Sequence, residues 1–294
     1  METNSTNKIL SIINGKGFKE KKFSKLFDYY KQNNIDFIIS TYKNHIAEII
    51  QESGRYEGFI VIGGDGTIHE AVNSNNHTNQ WIVFLPGGTV NCIANFFKMK
   101  LSVSFIHKLL QANRTVSFDL LKARFYTSEN VYSKYILGFI TIGHLTNMTV
   151  LSEKLKWMPK FMRYPSAAFL NFFSLQKFNI NYNSDSEKKS YKTCTSIIIN
   201  NCSAEFFSTL RKSEYNDGKF EYLIENHSIF SQILSIYSRF IHVFGKSKWE
   251  TNNNKLNIEF DKPLPIMADG EIFQNIIKLE LQIIPSIQRV KLPL

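Results

Sequence analysis

The chain has 294 residues, of which 43% are hydrophobic and 14% aromatic, so it can bury a substantial core in one large domain or two modest ones. Its formal net charge of +10 favours an anionic partner, such as a nucleotide, a nucleic acid or an acidic membrane surface. The three cysteines show neither a paired framework nor metal-ligand spacing, which excludes a disulfide-rich secreted protein and favours a cytoplasmic setting. No apolar run reaches the roughly 18 residues of a membrane-spanning helix, and the polar first residues lack a signal-peptide core, so we expect only peripheral membrane contact.

The first part of the chain alternates predicted strands with predicted helices. The strands are predicted from apolar runs at residues 8–13, 36–40, 59–62 and 81–85, and the helices from apolar spacing at residues 22–33, 44–52, 68–73, 92–97 and 104–112. This alternation indicates a parallel sheet with helices on both faces, in which ligands bind at the carboxyl ends of the strands. The glycine-bearing turns at residues 14–17, 63–67 and 86–89 are therefore expected at one edge of the sheet.

From residue 116 onward the pattern changes to one strand after another. The predicted strands are residues 116–123, 134–142, 193–200, 220–224, 255–260 and 276–284, with turn signals between them. A helical insertion is predicted at residues 151–178, and the polar residues 181–192 are expected to form an exposed hairpin or loop. We therefore predict an α/β domain with a parallel sheet over residues 1–115 and a β-rich domain, an antiparallel sandwich, over residues 116–294. Whether the last segment of the chain returns to the first domain stays open at this point.

Residues 59–73 carry the strongest functional signal in the chain. A buried strand is expected to end at the Gly-Gly-Asp-Gly run of residues 63–66, where glycines let the backbone take a positive φ and come close to a ligand. Thr67 stands three residues before Glu70, which is the spacing of a capping box at the start of a helix. Backbone N–H groups at a helix start bind anions, so the segment predicts a phosphate-binding loop. A carboxylate beside phosphates requires a cation or a transferable proton, and phosphoryl transfer uses both.

Each motif also has a purely structural interpretation. The glycines at residues 63–67 and 86–89 can form ordinary strand-to-helix turns. Asp-Gly pairs are common in hairpin turns, and this applies to the pairs at 217–218 and 269–270. Glu271 follows the second pair without an apolar alternation that would explain it, which favours a functional role at that position.

Four motifs together point to a known family. They are Gly63-Gly64-Asp65-Gly66-Thr67 with Glu70 and Asn73, Pro86-Gly87-Gly88-Thr89-Val90-Asn91, Asp217-Gly218 and Asp269-Gly270-Glu271. Their order and spacing resemble the diacylglycerol kinase catalytic-domain family, which includes soluble bacterial lipid kinases and the sphingosine and ceramide kinases. A Gly-Gly-Asp-Gly run alone would also fit NAD kinases and phosphofructokinases, and the Pro-x-Gly-Thr-x-Asn element that follows it favours the lipid kinases.

The resemblance implies that ATP binds in a cleft between the α/β domain and the β-rich domain. The implied nucleotide-binding residues are Asn14, Gly15, Lys16, Gly17, Thr41, Gly63, Gly64, Asp65, Gly66, Thr67, Ile68, His69, Thr89 and Asn91. The implied catalytic residues are Glu271, Asp65 and Asp269, and the implied Mg²⁺ ligands are Asp217 with backbone oxygens near Glu214 and Lys219. Within the catalytic set, Glu271 matches the residue that takes the hydroxyl proton of the lipid.

Two departures from the family pattern bear on function. Cys92 stands where the family has an aspartate after the asparagine of Gly-Thr-x-Asn, and the first turn, residues 14–17, is shorter than the usual Asn-Pro-x-x-Gly. The leading hypothesis is an ATP-dependent kinase of diacylglycerol or a related long-chain lipid alcohol. Two alternatives stay open. One is a kinase of a soluble metabolite such as NAD. The other is a catalytically weak lipid- or nucleotide-binding protein, and the two departures from the family pattern motivate this second alternative.

Residues 154–177 mix basic and aromatic side chains. One interpretation is a membrane-facing surface, with aromatic rings at the interface and basic groups beside anionic lipid. The alternative is that the apolar side chains Phe169, Leu170, Phe172 and Phe173 pack in a helix–sheet core. As partners we expect a lipid substrate at an anionic membrane surface, contacted peripherally from the cytoplasm. No stacking or groove-reading motif supports nucleic-acid binding, and a homodimer stays open.

Overall fold

Two compact units make up the described part of the chain. The computed structural model describes residues 8–16, 18–74, 80–88, 91–112, 114–173, 176–184, 188–202, 213–226, 249–252 and 254–293. The first unit is Met1–Leu120 together with Pro285–Leu294, and the second is Leu121–Ile284.

The first unit is a parallel sheet with helices between its strands. Its elements are β1 (Ile9–Asn14), α1 (Glu20–Gln32), β2 (Ile35–Ser40), α2 (His45–Glu52), β3 (Gly58–Gly63), α3 (Asp65–Ser74), β4 (Trp81–Pro86), α4 (Cys92–Phe96) and α5 (Val103–Ala112). The strands are hydrogen-bonded in the order β4-β3-β1-β2, and each neighbouring pair is parallel. This arrangement confirms the predicted α/β domain with a parallel sheet.

The apolar runs form strands because the central strands are buried on both faces. Every residue of β3 is buried, and so are the apolar side chains of β1. Gly58 at the start of β3 pairs with Trp81 of β4, and a Cβ at Gly58 would lie 2.2 Å from the Trp81 ring. Close contact with the indole therefore requires glycine at the start of β3.

The second unit consists of antiparallel strands and, among the described residues, two helices. Its elements are β5 (Thr115–Tyr126), which begins in the first unit, β6 (Val131–Ile136), β7 (Phe139–Gly143), α6 (His144–Lys154), α7 (Lys160–Phe173), β8 (Phe178–Ser184), β9 (Lys188–Cys194), β10 (Ser196–Asn200), β11 (Phe220–Glu225), β12 (Glu250–Asn252), β13 (Lys255–Ala268) and β14 (Glu271–Lys291), which ends in the first unit. The strands β12, β11, β10, β7 and β13 are antiparallel neighbours in that order, and β13 also pairs with β8 and β14. This confirms the predicted β-rich domain.

The last segment of the chain, Pro285–Leu294, belongs to the first unit. Within that unit, Val290 of β14 pairs in parallel with Ile82 of β4. The Lys291 ammonium lies 4.5 Å from the centre of the Trp81 ring. Burial lowers the pKa of Lys291. The end of the chain thereby adds to the β4 side of the parallel sheet.

Two predicted strands are wrong in extent. The single strand predicted over residues 134–142 is divided into β6 and β7, which are separated at Leu137 and Gly138. The strand predicted over residues 193–200 is divided at Thr195, whose N–H donates to a carbonyl of β11 at 2.8 Å. In both cases a tertiary hydrogen bond interrupts a run that looks continuous in sequence.

The helical insertion predicted at residues 151–178 begins earlier, at His144, and consists of α6 and α7. The segment at 181–192, predicted as a hairpin or loop, contributes to the antiparallel pair β8 and β9. One face of α6 packs its Leu145 against apolar side chains of β10 and β11. No helix in the part of the chain that the structure describes is long and apolar enough to cross a membrane.

Replacing Gly58 by alanine tests the contact between β3 and β4. The added Cβ would meet the Trp81 ring at 2.2 Å, so either the strands separate or the indole moves. We expect Gly58→Ala to lower the free energy of unfolding by about 1–3 kcal/mol, measured by urea denaturation. Gly54→Ala is the matched control because nothing lies within 4 Å of its added Cβ. An equal loss of stability in both variants would contradict this packing argument.

Candidate active site

The turns that follow β1, β3 and β4 lie at one edge of the parallel sheet. Ile13 of β1 pairs with Ile62 of β3, and Gly63 of β3 pairs with Pro86 of β4. The three strands therefore end at the same level, and their turns continue side by side at the carboxyl edge, where parallel sheets bind ligands.

The loops after β3 and β4 touch through their backbones. The Gly87 N–H donates to the Gly63 carbonyl at 2.8 Å. A Cβ at Gly88 would lie 2.5 Å from the Gly64 Cα, and a Cβ at Gly87 would lie 2.9 Å from the Gly63 nitrogen. None of these four glycines has a positive φ. The expected positive φ is therefore wrong at these positions, and it is the contact between the loops that requires glycine.

Asn14 links the turn after β1 to the first turn of α3. Its Nδ2 donates to Thr67 Oγ1 at 2.6 Å, and its Oδ1 accepts from the Lys16 N–H at 2.9 Å. The Gly15 N–H donates to the Ser40 carbonyl at 3.1 Å, and a Cβ at Gly15 would lie 2.1 Å from that oxygen. This short turn thus connects β1 with both α3 and β2.

The capping box predicted from Thr67 and Glu70 is wrong. Helix α3 begins at Asp65, so Thr67 already lies in its first turn, and the Thr67 N–H donates to the Gly64 carbonyl at 2.9 Å. Glu70 Oε1 accepts from the Ala47 N–H at 3.1 Å, in the first turn of α2. Glu70 therefore ties α3 to the start of α2.

Asp65 holds the start of α4. Its two carboxylate oxygens accept from the N–H groups of Cys92 and Ile93, each at 3.1 Å. Asn91, which precedes α4 with a φ of 57°, accepts from the Gly88 N–H at 2.7 Å through its side chain. Asp65 and Asn91 together shape the loop that follows β4, and a carboxylate near a helix N-terminus also complements the helix dipole.

Thr41 lies directly after β2, beside the turn that contains Asn14. The Thr41 N–H donates to His45 Nδ1 at 3.1 Å. The exposed Tyr42 ring stacks on the His45 ring with centroids 4.3 Å apart. A hydrogen bond to Glu48 raises the pKa of the Tyr42 phenol. Thr41 therefore lies at the same edge of the sheet as the glycine loops, next to an aromatic pair.

The remaining residues implied for nucleotide binding differ in exposure. Gly66 is half-buried in α3, whereas the side chains of Ile68 and His69 are buried. Ile68 and His69 therefore offer a ligand their backbone and not their side chains. Gly17 and Thr89 lie outside the described residues.

In the second unit, Asp269 is fully buried and binds the main chain of a distant bend. It forms the turn between β13 and β14 with Gly270, and both have positive φ, 46° and 84°. Its carboxylate accepts from the N–H groups of Leu137 at 2.7 Å, Gly138 at 2.9 Å and Phe139 at 3.0 Å. The hairpin interpretation of the Asp-Gly pair therefore holds, and these bonds are the reason that β6 and β7 are separate strands.

Glu271 is the first residue of β14 and pairs with Ala268 of β13. Its side chain is half-buried. Within the described ranges, no group donates a hydrogen bond to its carboxylate, whereas Asp65 and Asp269 both bind main-chain N–H groups. Of the three implied catalytic carboxylates, Glu271 is therefore the one that no described N–H group binds.

The residues implied for metal binding lie in an exposed turn before β11. Asp217 Oδ1 accepts from the Lys219 N–H at 3.0 Å, and Gly218 has a φ of 69°. Glu214 is also exposed. Among the residues that the structure describes, no group of three or more His, Cys, Asp or Glu side chains is arranged to hold a metal ion. One carboxylate with backbone carbonyls fits a Mg²⁺ ion that keeps several waters.

Asn201 and Cys202 support the same bend that Asp269 binds, and neither carries a local sequence signal for this role. Asn201 Nδ2 donates to the Leu137 carbonyl at 2.8 Å, and the Asn201 N–H donates to the Gly138 carbonyl at 2.9 Å. Cys202 Sγ lies 3.3 Å from the Leu137 carbonyl oxygen. The bend is thus held from two sides by residues far apart in sequence.

The first part of the chain matches a known protein family. Residues 8–123 match the family described as the diacylglycerol kinase catalytic domain. The matched stretch is similar to that catalytic domain. The match confirms the resemblance of the motifs to that family. The matched residues contain the strands β1 to β4 and the turns at their carboxyl ends.

Several proteins that are similar to this chain carry the names of lipid kinases. A protein of Staphylococcus carnosus, named as a candidate lipid kinase, is 25% identical over 236 residues, which cover 76% of this chain and 72% of that protein. Sphingosine kinase 1 of Mus musculus is 29% identical over 102 residues, which cover 30% of this chain and 27% of that protein. A crystal structure titled as a diacylglycerol kinase from Bacillus anthracis covers 97% of both chains with a TM-score of 0.75 and 16% identity. This structural likeness shows that the fold is shared.

Replacing Asp269 by alanine tests its structural role. The variant leaves three N–H groups at the bend between β6 and β7 without their acceptor. We expect the free energy of unfolding to fall by about 3 kcal/mol or more, since each unsatisfied buried donor costs about 1–3 kcal/mol. The exposed Glu129 in the same unit provides the control, and Glu129→Ala should change stability by less than about 0.5 kcal/mol. If Asp269→Ala had the same midpoint of urea unfolding as the wild type, this structural role would be refuted.

Proposed function

We propose that the protein transfers the γ-phosphate of ATP to the hydroxyl of diacylglycerol or a related long-chain lipid alcohol. The observation that carries the proposal is the pair of touching glycine loops at the carboxyl edge of the sheet, within the residues that match the diacylglycerol kinase catalytic domain. The names of the relatives, sphingosine kinase 1 and a candidate lipid kinase, favour a lipid alcohol over a soluble metabolite as the acceptor.

The proposed site for the ATP phosphates is the edge of the sheet where α3 begins. Backbone N–H groups and the partial positive charge of a helix N-terminus favour phosphate there. The loops after β3 and β4 carry glycines at their point of contact, so phosphate oxygens can approach the main chain closely. Lys16 is exposed in the turn after β1 and adds a positive charge at the same edge.

Glu271 is the proposed proton acceptor. Its carboxylate takes the proton of the lipid hydroxyl as the hydroxyl oxygen forms a bond to the γ-phosphorus. The bond from that phosphorus to the bridging oxygen breaks, and ADP leaves with the electron pair. Asp65 and Asp269 are positioning residues in this proposal, because their oxygens bind main-chain N–H groups.

Mg²⁺ is the proposed companion of ATP. It would offset the charge of the phosphates when bound. Asp217 supplies one exposed carboxylate in the second unit. In the first unit, Cys92 occupies the position where the family pattern has an aspartate, so this chain offers one carboxylate fewer after the β4 loop.

The proposed acceptor lies in a lipid bilayer, so we propose that the protein acts at a membrane surface from the cytoplasm as a peripheral protein. The formal net charge of +10 supports attraction to anionic lipid.

Replacing Glu271 by glutamine tests the proton acceptor. The amide keeps the size of the side chain but cannot take the hydroxyl proton. We expect kcat for lipid phosphorylation to fall by about 10²–10⁴-fold, while the affinity for ATP stays at the wild-type value. The measurement is the transfer of label from ATP to diacylglycerol, read by thin-layer chromatography, with Glu129→Gln as the control. A wild-type rate in Glu271→Gln would eliminate this assignment.

The same assay separates the proposed function from its alternatives. Labelled ATP is offered with diacylglycerol, sphingosine, ceramide and NAD. A labelled lipid supports the proposal, whereas labelled NADP would support a kinase of a soluble metabolite. Nucleotide binding without transfer to any acceptor would support a catalytically weak binding protein.

Replacing Gly88 by alanine tests the contact between the two loops. The new Cβ would lie 2.5 Å from the Gly64 Cα, so the loops must move apart. A displacement of this kind by about 1 Å can cost about 10²-fold in rate, and we expect a loss of this order in kcat/KM for ATP. Gly54→Ala serves again as the control and should keep the wild-type value. Equal kinetics for Gly88→Ala and the wild type would show that the loop contact does not shape the nucleotide site.

A further inference from the structure

Exposed apolar side chains are concentrated on α7 and the turn before it. Four of the nine large hydrophobic side chains that are exposed in the described part of the chain lie there. They are Trp157, 80% exposed, Met162, 43% exposed, Phe169, 65% exposed, and Leu170, 47% exposed. We call these four side chains the helical patch. Their exposure contradicts the alternative in which Phe169 and Leu170 pack in a core, and the side chains of Phe172 and Phe173 lie outside the described set.

Helix geometry places the three patch residues of α7 on one side of the helix. Met162 and Phe169 are seven residues apart and lie on the same stripe of the helix, with Leu170 next to them. The opposite side of α7 is fixed to the protein, because Asn171 is fully buried and its Nδ2 donates to the His144 carbonyl at 2.7 Å. The helix therefore has a docked face and an apolar face that is open to solvent.

Basic residues are frequent in the segment that carries the helical patch. Residues 144–177 contain five basic side chains and one acidic side chain, a formal net charge of +4. Lys154 and Lys177 are exposed, and Lys156 pairs with Glu153. The Arg163 guanidinium donates to the Lys156 carbonyl at 3.0 Å, which holds the turn that carries Trp157.

We propose that the helical patch docks the protein on an anionic membrane surface. Trp157, Phe169 and Leu170 enter the boundary between head groups and acyl chains, while Lys154 and Lys177 meet the lipid phosphates. The inference rests on the proposed function, because an enzyme that phosphorylates a lipid must reach a bilayer. Lysine is depleted at protein–protein interfaces, whereas tryptophan and basic side chains are typical of membrane interfaces, so the composition favours a bilayer over a protein partner.

Vesicle flotation tests the docking surface. Purified protein without nucleotide is mixed with phosphatidylcholine vesicles that contain or lack phosphatidylglycerol. We expect the wild type to float with the anionic vesicles and to be released by salt. The double variant Trp157→Ala/Phe169→Ala should have a weaker affinity for anionic vesicles, by about tenfold or more for each side chain removed. Lys154→Gln with Lys177→Gln should weaken it by about fivefold for each charge removed.

Matched controls come from exposed side chains outside the patch. Tyr132→Ala removes an exposed ring in the same unit, and Lys100→Gln with Lys108→Gln removes two exposed charges. The ring variant should bind like the wild type, and the paired lysine variant should lose less than the paired patch variant. Equal losses in the patch and control variants would show that only total charge or hydrophobicity matters, and would overturn the proposal.

Tryptophan fluorescence reports the same event at one residue. Trp157 is 80% exposed, whereas Trp81 is 2% exposed and Trp249 is half-buried. Anionic vesicles should therefore shift the emission to the blue, and brominated lipids should quench it. Trp157→Phe should remove both changes while vesicle binding persists. Unchanged spectral effects in Trp157→Phe would mean that another surface meets the bilayer.

The outcomes distinguish docking from catalysis. If the patch variants keep wild-type vesicle affinity, the docking proposal is wrong, whatever the enzymatic activity. If the wild type binds anionic vesicles through the patch but labels no lipid, the proposed function fails and the docking surface stands. If both hold, the patch variants should lose activity on vesicle-embedded diacylglycerol and keep it on a dispersed short-chain diacylglycerol.

Discussion

The backbone contact between the loops after β3 and β4 is the constraint on which the candidate active site depends. Two loops approach this closely only when no Cβ stands between them, which explains the glycines on both sides. Side chains then hold the arrangement, since Asn14 reaches Thr67 in α3 and Asp65 reaches the start of α4. The site is therefore built largely from main chain, which suits a phosphate ligand that backbone N–H groups bind.

The aspartates of the two family motifs serve the main chain of their own units. Asp65 accepts from two N–H groups at the start of α4, and Asp269 accepts from three at the bend between β6 and β7. Glu271 is different, because no donor among the described residues binds its carboxylate. Hydrogen-bonded carboxylates thus shape the loops, and the proposed proton acceptor is the half-buried carboxylate of Glu271. The motif that contains Asp269 and Glu271 thus places a structural carboxylate and the proposed proton acceptor within three residues.

Local signals in the sequence predict most of the first unit, because apolar runs and helical spacing depend on neighbours along the chain. The same signals identify the glycine loops and the Asp-Gly-Glu motif. They fail where a distant partner decides the structure. Glu70 binds the start of α2 and not its own helix, and Asp269 divides the predicted strand at 134–142 from 130 to 132 residues away. Asn201, which supports that bend, has no local signal at all.

The family pattern has an aspartate at the position of Cys92, and the geometry of the loop does not depend on that aspartate side chain. Asp65 accepts a hydrogen bond from the Cys92 N–H, so the start of α4 can keep this contact with any residue that has an N–H. The Cys92 side chain is buried, and a carboxylate buried there would require its own charge partners. A thiol therefore preserves the loop while removing one negative charge close to the glycine loops. Under the proposed function, this change would lower the repulsion of a phosphate anion and the contribution of the first unit to metal binding.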